Sequence, residues 1–283
     1  MGGAVSGYLR LLRPVNCAMT GFAVLVGAAI AGRSLSALGV GEALAGFAAG
    51  FFIAGAAMVF NDYADREIDM INAPGRPIPS GAVSPASALA YGAFLVAGGL
   101  AAAAYTGLGT LAAAAAAAAL AVLYDFWGKR TGLPGNLMVS FNVALPILYG
   151  ALLVGRADLT IMVYWAMIFL ANTSREVIKG IADVEGDSVR GVRTLAVVLG
   201  ERRAALVAAA TLLVAIALSP VPVFWGDASQ LYIPLVAAAD AGFLYSSARL
   251  LARPEKRVAL RVKNEMLVWM LLGLIAFLAG SLW

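Results

Sequence analysis

Apolar runs of about 18 to 22 residues, broken by short polar segments, fill most of the chain: 15–32, 43–62, 86–106, 108–127, 134–154, 159–181, 204–223, 231–250 and 266–283. A helix rising 1.5 Å per residue crosses the hydrocarbon of a bilayer in about 20 residues, which is the length of each run. The pattern predicts an all-α polytopic membrane protein with nine transmembrane helices. No long polar linker interrupts it, so residues 1–283 read as a single transmembrane domain.

Nine crossings divide the polar segments between two sides, and the basic residues are distributed very unequally. All Lys and Arg except Arg33 and Arg156, 18 of the 20, fall on the side of the N-terminus. By the positive-inside rule that side is cytoplasmic. The chain is thus expected in the cell membrane, multi-pass. Hydrophobic residues make up 62% of the 283 and charged residues 13%, so the net charge of +4 reports topology. No basic helix stands clear of the membrane, and nucleic acid is excluded as a partner. No obligate protein partner is implied either. Ala29-Ile30-Ala31 has the small-residue spacing of a signal-peptide cleavage site, but eight further runs make it part of an uncleaved first helix. Cys17 is the lone cysteine, so no intramolecular disulfide forms. The alanines from Ala112 to Ala119 suit close helix packing.

Two acidic clusters end apolar runs: Asn61-Asp62-Tyr63-Ala64-Asp65-Arg66-Glu67-Ile68-Asp69, and Asp183-Val184-Glu185-Gly186-Asp187. At 100° per residue, Asn61, Asp65, Asp69 and Asp62 fall within about 100° on one helix face, and Glu67 looks away. Glu176, Lys179, Asp183, Asp187 and Arg190 share a second stripe. Carboxylates about 6 Å apart repel by roughly 3 kcal/mol at an effective dielectric near 20, and a cation relieves the repulsion. The chain has no histidine, and oxygen donors without His or Cys specify Mg²⁺ or a similar hard ion, which commonly shares its shell with phosphate. The candidate metal ligands are Asn61, Asp62, Asp65, Asp69, Asp183 and Asp187. The intervals 65 to 183 and 69 to 187 are both 118 residues and each contains four runs. This echo predicts two parallel four-helix halves plus a ninth helix, with the clusters facing each other across a central cavity.

A diphosphate beside carboxylates needs further positive charge, and Arg76, Lys129, Arg130, Lys179 and Arg190 are the candidates. The segment Asn72-Ala73-Pro74-Gly75-Arg76-Pro77 has turn chemistry that can aim Arg76 back at the site. Asp240 lies near the middle of the eighth run, where an ionisable group is costly. It is either functional or hydrogen-bonded to a Ser, Thr or Asn of another helix. Intramembrane acids also mark cation transporters and channels, but only Asp240 among the 16 acids is deep, so no conducting path is indicated.

Taken together, Asn61-Asp62-x-x-Asp65-x-x-x-Asp69, Asn72, Arg76-Pro77-Ile78-Pro79-Ser80-Gly81, Tyr124 with Lys129, and Asp183-x-x-x-Asp187 resemble the motifs of the UbiA superfamily of intramembrane prenyltransferases over nearly the whole chain. The resemblance implies a Mg²⁺-dependent site for a prenyl diphosphate donor whose tail runs along an apolar channel open sideways to membrane lipid. It implies Mg²⁺ held by Asn61, Asp65, Asp69, Asp183 and Asp187, and diphosphate contacts from Arg76, Lys129 and Lys179. Arg13 and Asn16 match a polar pair that touches acceptor or phosphate. The segment from Ser174 to Asp187, with Leu12-Arg13-Pro14-x-Asn16, is most similar to members that join geranylgeranyl diphosphate to the hydroxyl of geranylgeranylglyceryl phosphate, forming the second ether bond of archaeal lipids. Other members prenylate polar aromatic acceptors.

The implied reaction breaks an allylic carbon–oxygen bond, so charge on the departing diphosphate needs stabilising and water must be kept from the carbocation. Asp65, Asp69, Asp183, Asp187, Lys129 and Tyr124 are the candidate catalytic groups. Tyr124 offers either a π face to the cation or an interfacial anchor. With no histidine, the acceptor proton passes to Asp69, to Asp187 or to the diphosphate itself. The site is expected to open to the cytoplasm.

Overall fold

The computed structural model describes residues 2–189 and 191–282, with side chains from Val5 onward, and the regular elements among them are all helical. A short α1 (Gly2–Leu12) turns at Arg13, whose backbone is left-handed (φ 50°), into α2 (Pro14–Gly32). Pro14 suits a first helical turn, since its missing N–H has no intrahelical partner there. The long α3 (Val40–Ala64) breaks at Asp65 and continues as α4 (Arg66–Asn72). Ser84 caps α5 (Pro85–Thr106) by accepting the Ser87 N–H, and Gly107 (φ 139°) turns the chain into α6 (Leu108–Phe126). A 3₁₀ turn, Gly128–Arg130, precedes α7 (Leu133–Val154) and α8 (Leu159–Ala182), and Asp158 caps the latter. Short α9 (Val184–Val189) and α10 (Leu195–Leu199) lead to α11 (Glu201–Leu218), α12 (Val221–Phe224), α13 (Tyr232–Ala252) and α14 (Lys256–Ser281).

Eight helical segments among the described residues are long and apolar enough to cross a membrane: α2, α3, α5, α6, α7, α11 extended through α12, α13 and α14. The protein is an all-α polytopic membrane protein. Composition leaves one expected crossing out of these eight, and one expected boundary needs correction. The run at 159–181 forms α8, which has ample length at 24 residues. Its second half, with Asn172, Thr173, Ser174, Arg175, Glu176 and Lys179, is too polar to qualify on composition. The last helix begins at Lys256 rather than 266, because its first turns carry Arg257, Arg261, Lys263 and Glu265 and so escape a search for apolar residues.

Neighbours follow one order in both parts of the chain: α2 packs on α3, α3 on α5 and α5 on α6, just as α7 packs on α8, α8 on α11 and α11 on α13. The α6–α7 and α13–α14 contacts extend each series, and α14 returns to touch α8 and α2. Lipid supplies no hydrophobic drive between helices, so close backbone approach through small residues takes its place. Gly27 and Gly150 show this at the α2–α7 crossing: a Cβ on Gly27 would stand 2.6 Å from the Ile147 carbonyl oxygen, and one on Gly150 would stand 2.2 Å from that of Val24.

At the end of the bundle away from the acidic clusters, Arg33 pairs with Asp227, which also accepts the Thr160 hydroxyl at 2.5 Å. Arg156 pairs with Asp158 at 3.5 Å. Both basic residues on that side are thus matched by acids.

Candidate active site

The helices line an apolar, partly open chamber of about 540 Å³. Its wall includes Ala54, Ala57, Ala113, Ala117, Ile147 and Phe277, and Asn61, Tyr124 and Asp125 meet it where α3 and α6 end. Deeper in, Asn142 and Asp240 line it as well, and the Ser219 hydroxyl donates to Asp240 at 2.7 Å. Asp240, which is partly exposed, therefore hydrogen-bonds a Ser in the turn that ends α11, and it also faces the chamber.

The helix does not run unbroken through the first acidic cluster, as a regular stripe would require, because Asp65 ends α3 and starts α4. The one-turn spacing nevertheless survives: the Asp65 N–H donates to the Asn61 carbonyl at 3.0 Å, and Asp69 donates to Asp65 at 2.8 Å. The four side chains stay on one side of the kink, and Glu67 points to solvent and pairs with Arg66. Cations drawn from distant parts of the chain converge on them. Arg13 meets the buried Asp62 at 2.6 Å, and Arg76 meets Asp69 at 2.5 Å and Asp62 at 3.5 Å. Lys129 bridges Asp65 at 2.9 Å and Asp125 at 3.2 Å, and Asp125 accepts from the Asn61 amide at 2.8 Å. Arg10 steadies the loop before Arg76 by donating to the Gly75 carbonyl at 2.7 Å.

The second cluster is built in the same way. Asp183 ends α8, and Asp187 donates its N–H to the Asp183 carbonyl at 2.9 Å. Asp183, Asp187 and Lys256 line a small polar cleft. Glu176, buried at the end of α8, takes Arg175 at 3.1 Å and Lys179 at 3.3 Å. Lys256 reaches Glu185 at 2.6 Å, and that hydrogen bond draws the exposed Glu185 carboxyl below its ordinary range. Tyr124, one residue before Asp125 near the end of α6, lines the chamber.

Of the residues singled out from sequence, Arg13, Asp62, Asp69 and Arg76 form one ion-paired set and Asn61, Asp65 and Lys129 form another through Asp125, the two sets being joined into a network through the backbone hydrogen bond from Asp69 to Asp65. Lys179, Asp183 and Asp187 belong to the second cluster, and Tyr124 lines the chamber. Asn16 is exposed on the first turn of α2, where its carbonyl accepts the Thr20 hydroxyl, and Arg130 is exposed on the 3₁₀ turn. Neither joins the network. Arg190 lies outside the described residues. Asp125 was missed: it reads as one more charge where an apolar run ends, although its i, i+4 spacing to Lys129 was available as a signal.

The donors suit Mg²⁺ in kind, being hard oxygens of Asn, Asp and Glu with no sulfur or imidazole beside them. Among the described residues no three acids close into one metal-holding group, and the carboxylates of the first cluster are each matched by Arg or Lys.

The sequence model of the UbiA prenyltransferase family matches residues 20–278. The chain is 40% identical over 277 residues to the digeranylgeranylglyceryl phosphate synthase of Methanopyrus kandleri, covering 97% of this chain and 99% of that one. It is 36% identical to the synthase of the same name from Methanothermobacter thermautotrophicus, covering 97% and 95%. Among solved structures, one concerned with digeranylgeranylglyceryl phosphate synthase superposes with a TM-score of 0.87 at 28% identity over 98% of both chains. A UbiA homologue from Archaeoglobus fulgidus, solved with GPP and Mg²⁺, shares the fold with a TM-score of 0.74 at 18% identity, covering 96% of this chain and 99% of that one.

Proposed function

Since the chain belongs to the UbiA prenyltransferase family, we propose that it transfers a geranylgeranyl group from geranylgeranyl diphosphate to the hydroxyl of geranylgeranylglyceryl phosphate. The observation that carries this reading is the pairing of an apolar chamber with a mouth of oxygen donors and cations, a division that matches a prenyl diphosphate's tail and head. Full-length similarity to archaeal synthases of that name supports the choice of acceptor. In this reading residues 1–283 form one catalytic domain, α8 also crosses the membrane and brings the crossings to nine, and the repeated neighbour order reflects two four-helix halves around the chamber with α14 as the ninth helix. The site opens on the side that holds most of the Lys and Arg, the cytoplasm.

Mg²⁺ would be held by Asn61, Asp65 and Asp69 from one side and Asp183 and Asp187 from the other, where it would neutralise charge on the diphosphate. Arg76 and Lys129 are kept extended by Asp69, Asp65 and Asp125 and offer their remaining N–H groups to the head group. Lys179 adds charge from the second cluster, and Arg13 with Asn16 lies on the acceptor side. The chamber wall takes the isoprenoid tail and keeps water from the allylic carbon. Tyr124 presents its ring beside the reacting carbon. The acceptor proton leaves to Asp69, to Asp187 or to the departing diphosphate.

The test is to incubate purified protein in detergent with labelled geranylgeranyl diphosphate, Mg²⁺ and a panel of acceptors. An ether product with geranylgeranylglyceryl phosphate that disappears with EDTA is expected. A product formed only with aromatic acceptors would overturn the acceptor assignment, and a metal-independent product would overturn the role of Mg²⁺.

A further inference from the structure

We propose that Asp125 is a positioning residue that decides which end of the Asn61 amide faces the reaction site. An ionised carboxylate only accepts hydrogen bonds, so the end of the amide turned toward it must be the NH₂. That is the arrangement found, with Asn61 Nδ2 donating to Asp125 Oδ1 at 2.8 Å. The two ends of an amide lie on opposite sides of its carbon, and committing Nδ2 to Asp125 turns the Asn61 oxygen away from it. Asn61 itself lines the chamber where α3 ends.

Asp125 suits this task better than a surface carboxylate would. Its side chain is 3% exposed, and its Oδ1 also receives Lys129 Nζ at 3.2 Å, which compensates the buried charge. Lys129 is fixed in turn by Asp65 at 2.9 Å. Asn61 comes from α3, and Asp125 and Lys129 from the end of α6 and the turn after it, so the contact also sets the rotation of one helix against the other. Without Asp125 the amide can adopt two nearly isosteric orientations, one of which presents a donor where a metal or its diphosphate needs an acceptor. Outer partners of this kind commonly change metal affinity by about 10- to 100-fold.

The inference rests on the reading of Asn61 as a metal ligand, and its test keeps the two apart. Mn²⁺ serves as the probe, with the free ion followed by electron paramagnetic resonance on the full chain in detergent. Asp125→Ala is expected to weaken Mn²⁺ binding by about tenfold, and Asp125→Asn, whose amide oxygen still accepts from Asn61, to stay within about threefold of the unsubstituted protein. In an Asn61→Ala background, Asp125→Ala should add less than about twofold, because the residue it acts through is gone. Melting temperature in the same detergent reports folding. If Asp125→Ala fails to fold, Asp125→Ser, whose shorter side chain withdraws the shared acceptor from Asn61 and Lys129 alike but leaves a hydroxyl to be solvated, carries the same expectation. Equal Mn²⁺ affinity in the unsubstituted protein and Asp125→Ala, equal losses in Asp125→Asn and Asp125→Ala, or additive losses in the double variant would overturn the proposal. Absence of Mn²⁺ binding by the unsubstituted protein would overturn the metal reading, and the role of Asp125 with it.

Discussion

Lys129 serves two acids of different character, and its substitution should separate their roles. Asp125 is almost fully buried, whereas Asp65 is 28% exposed and can be solvated. Lys129→Met strands the Asp125 charge, so it should lower stability by about 2 kcal/mol, the modest end for a broken buried pair because Lys129 itself keeps some solvent. A fall in melting temperature accompanied by loss of prenyl transfer is the expected result. Asp65→Asn should instead leave melting nearly unchanged and reduce kcat by about 10²- to 10³-fold, since the amide oxygen still accepts from Lys129 but the charge is gone. At this scale the oxygen-rich stripe was readable, because its four-residue period survives the kink at Asp65. For Asp125 only the i, i+4 spacing to Lys129 was readable, since its contact with Asn61 joins residues 64 apart in the chain.

Between elements, the α2–α7 crossing depends on two glycines that meet the backbone of the opposite helix. Gly150→Ala places a methyl group 2.2 Å from the Val24 carbonyl oxygen, and the helices must separate to relieve it. A stability loss of about 1–3 kcal/mol is expected, seen as a lower melting temperature in detergent. Gly109→Ala on α6 meets only Leu152, at 3.8 Å, and should be neutral or stabilising by up to about 1 kcal/mol through helix propensity. An equal loss in both variants would show that the close approach at Gly150 does not matter. The element boundaries agreed closely with the apolar runs for α8, whereas the run at 204–223 breaks at Ser219 and Pro220 into α11 and α12 and the last helix starts about three turns early. At the start of α14 polar residues occupy the first turns, so a pattern based on hydropathy understates that helix.

For the whole molecule, the chamber volume should govern which donors are accepted. Ala117→Phe narrows the wall on α6 well away from the mouth, and its effect should depend on tail length. The ratio of kcat/KM for geranylgeranyl diphosphate to that for geranyl diphosphate is expected to fall by at least about tenfold, since a longer tail has more surface to lose. An unchanged ratio would mean that the tail does not occupy this space.

The amino-acid sequence by itself determined a helical membrane protein, the approximate ends of its long helices and the oxygen donors gathered at two of those ends. These follow from local rules: bilayer thickness sets run length, and helical period sets which side chains share a face. Only the tertiary structure decided that Arg13 meets Asp62, that Lys129 joins Asp65 to Asp125, and that an apolar chamber lies beneath them. Those facts depend on how α2, α3 and α6 are rotated and spaced, and side-chain packing between residues far apart in the chain sets that geometry.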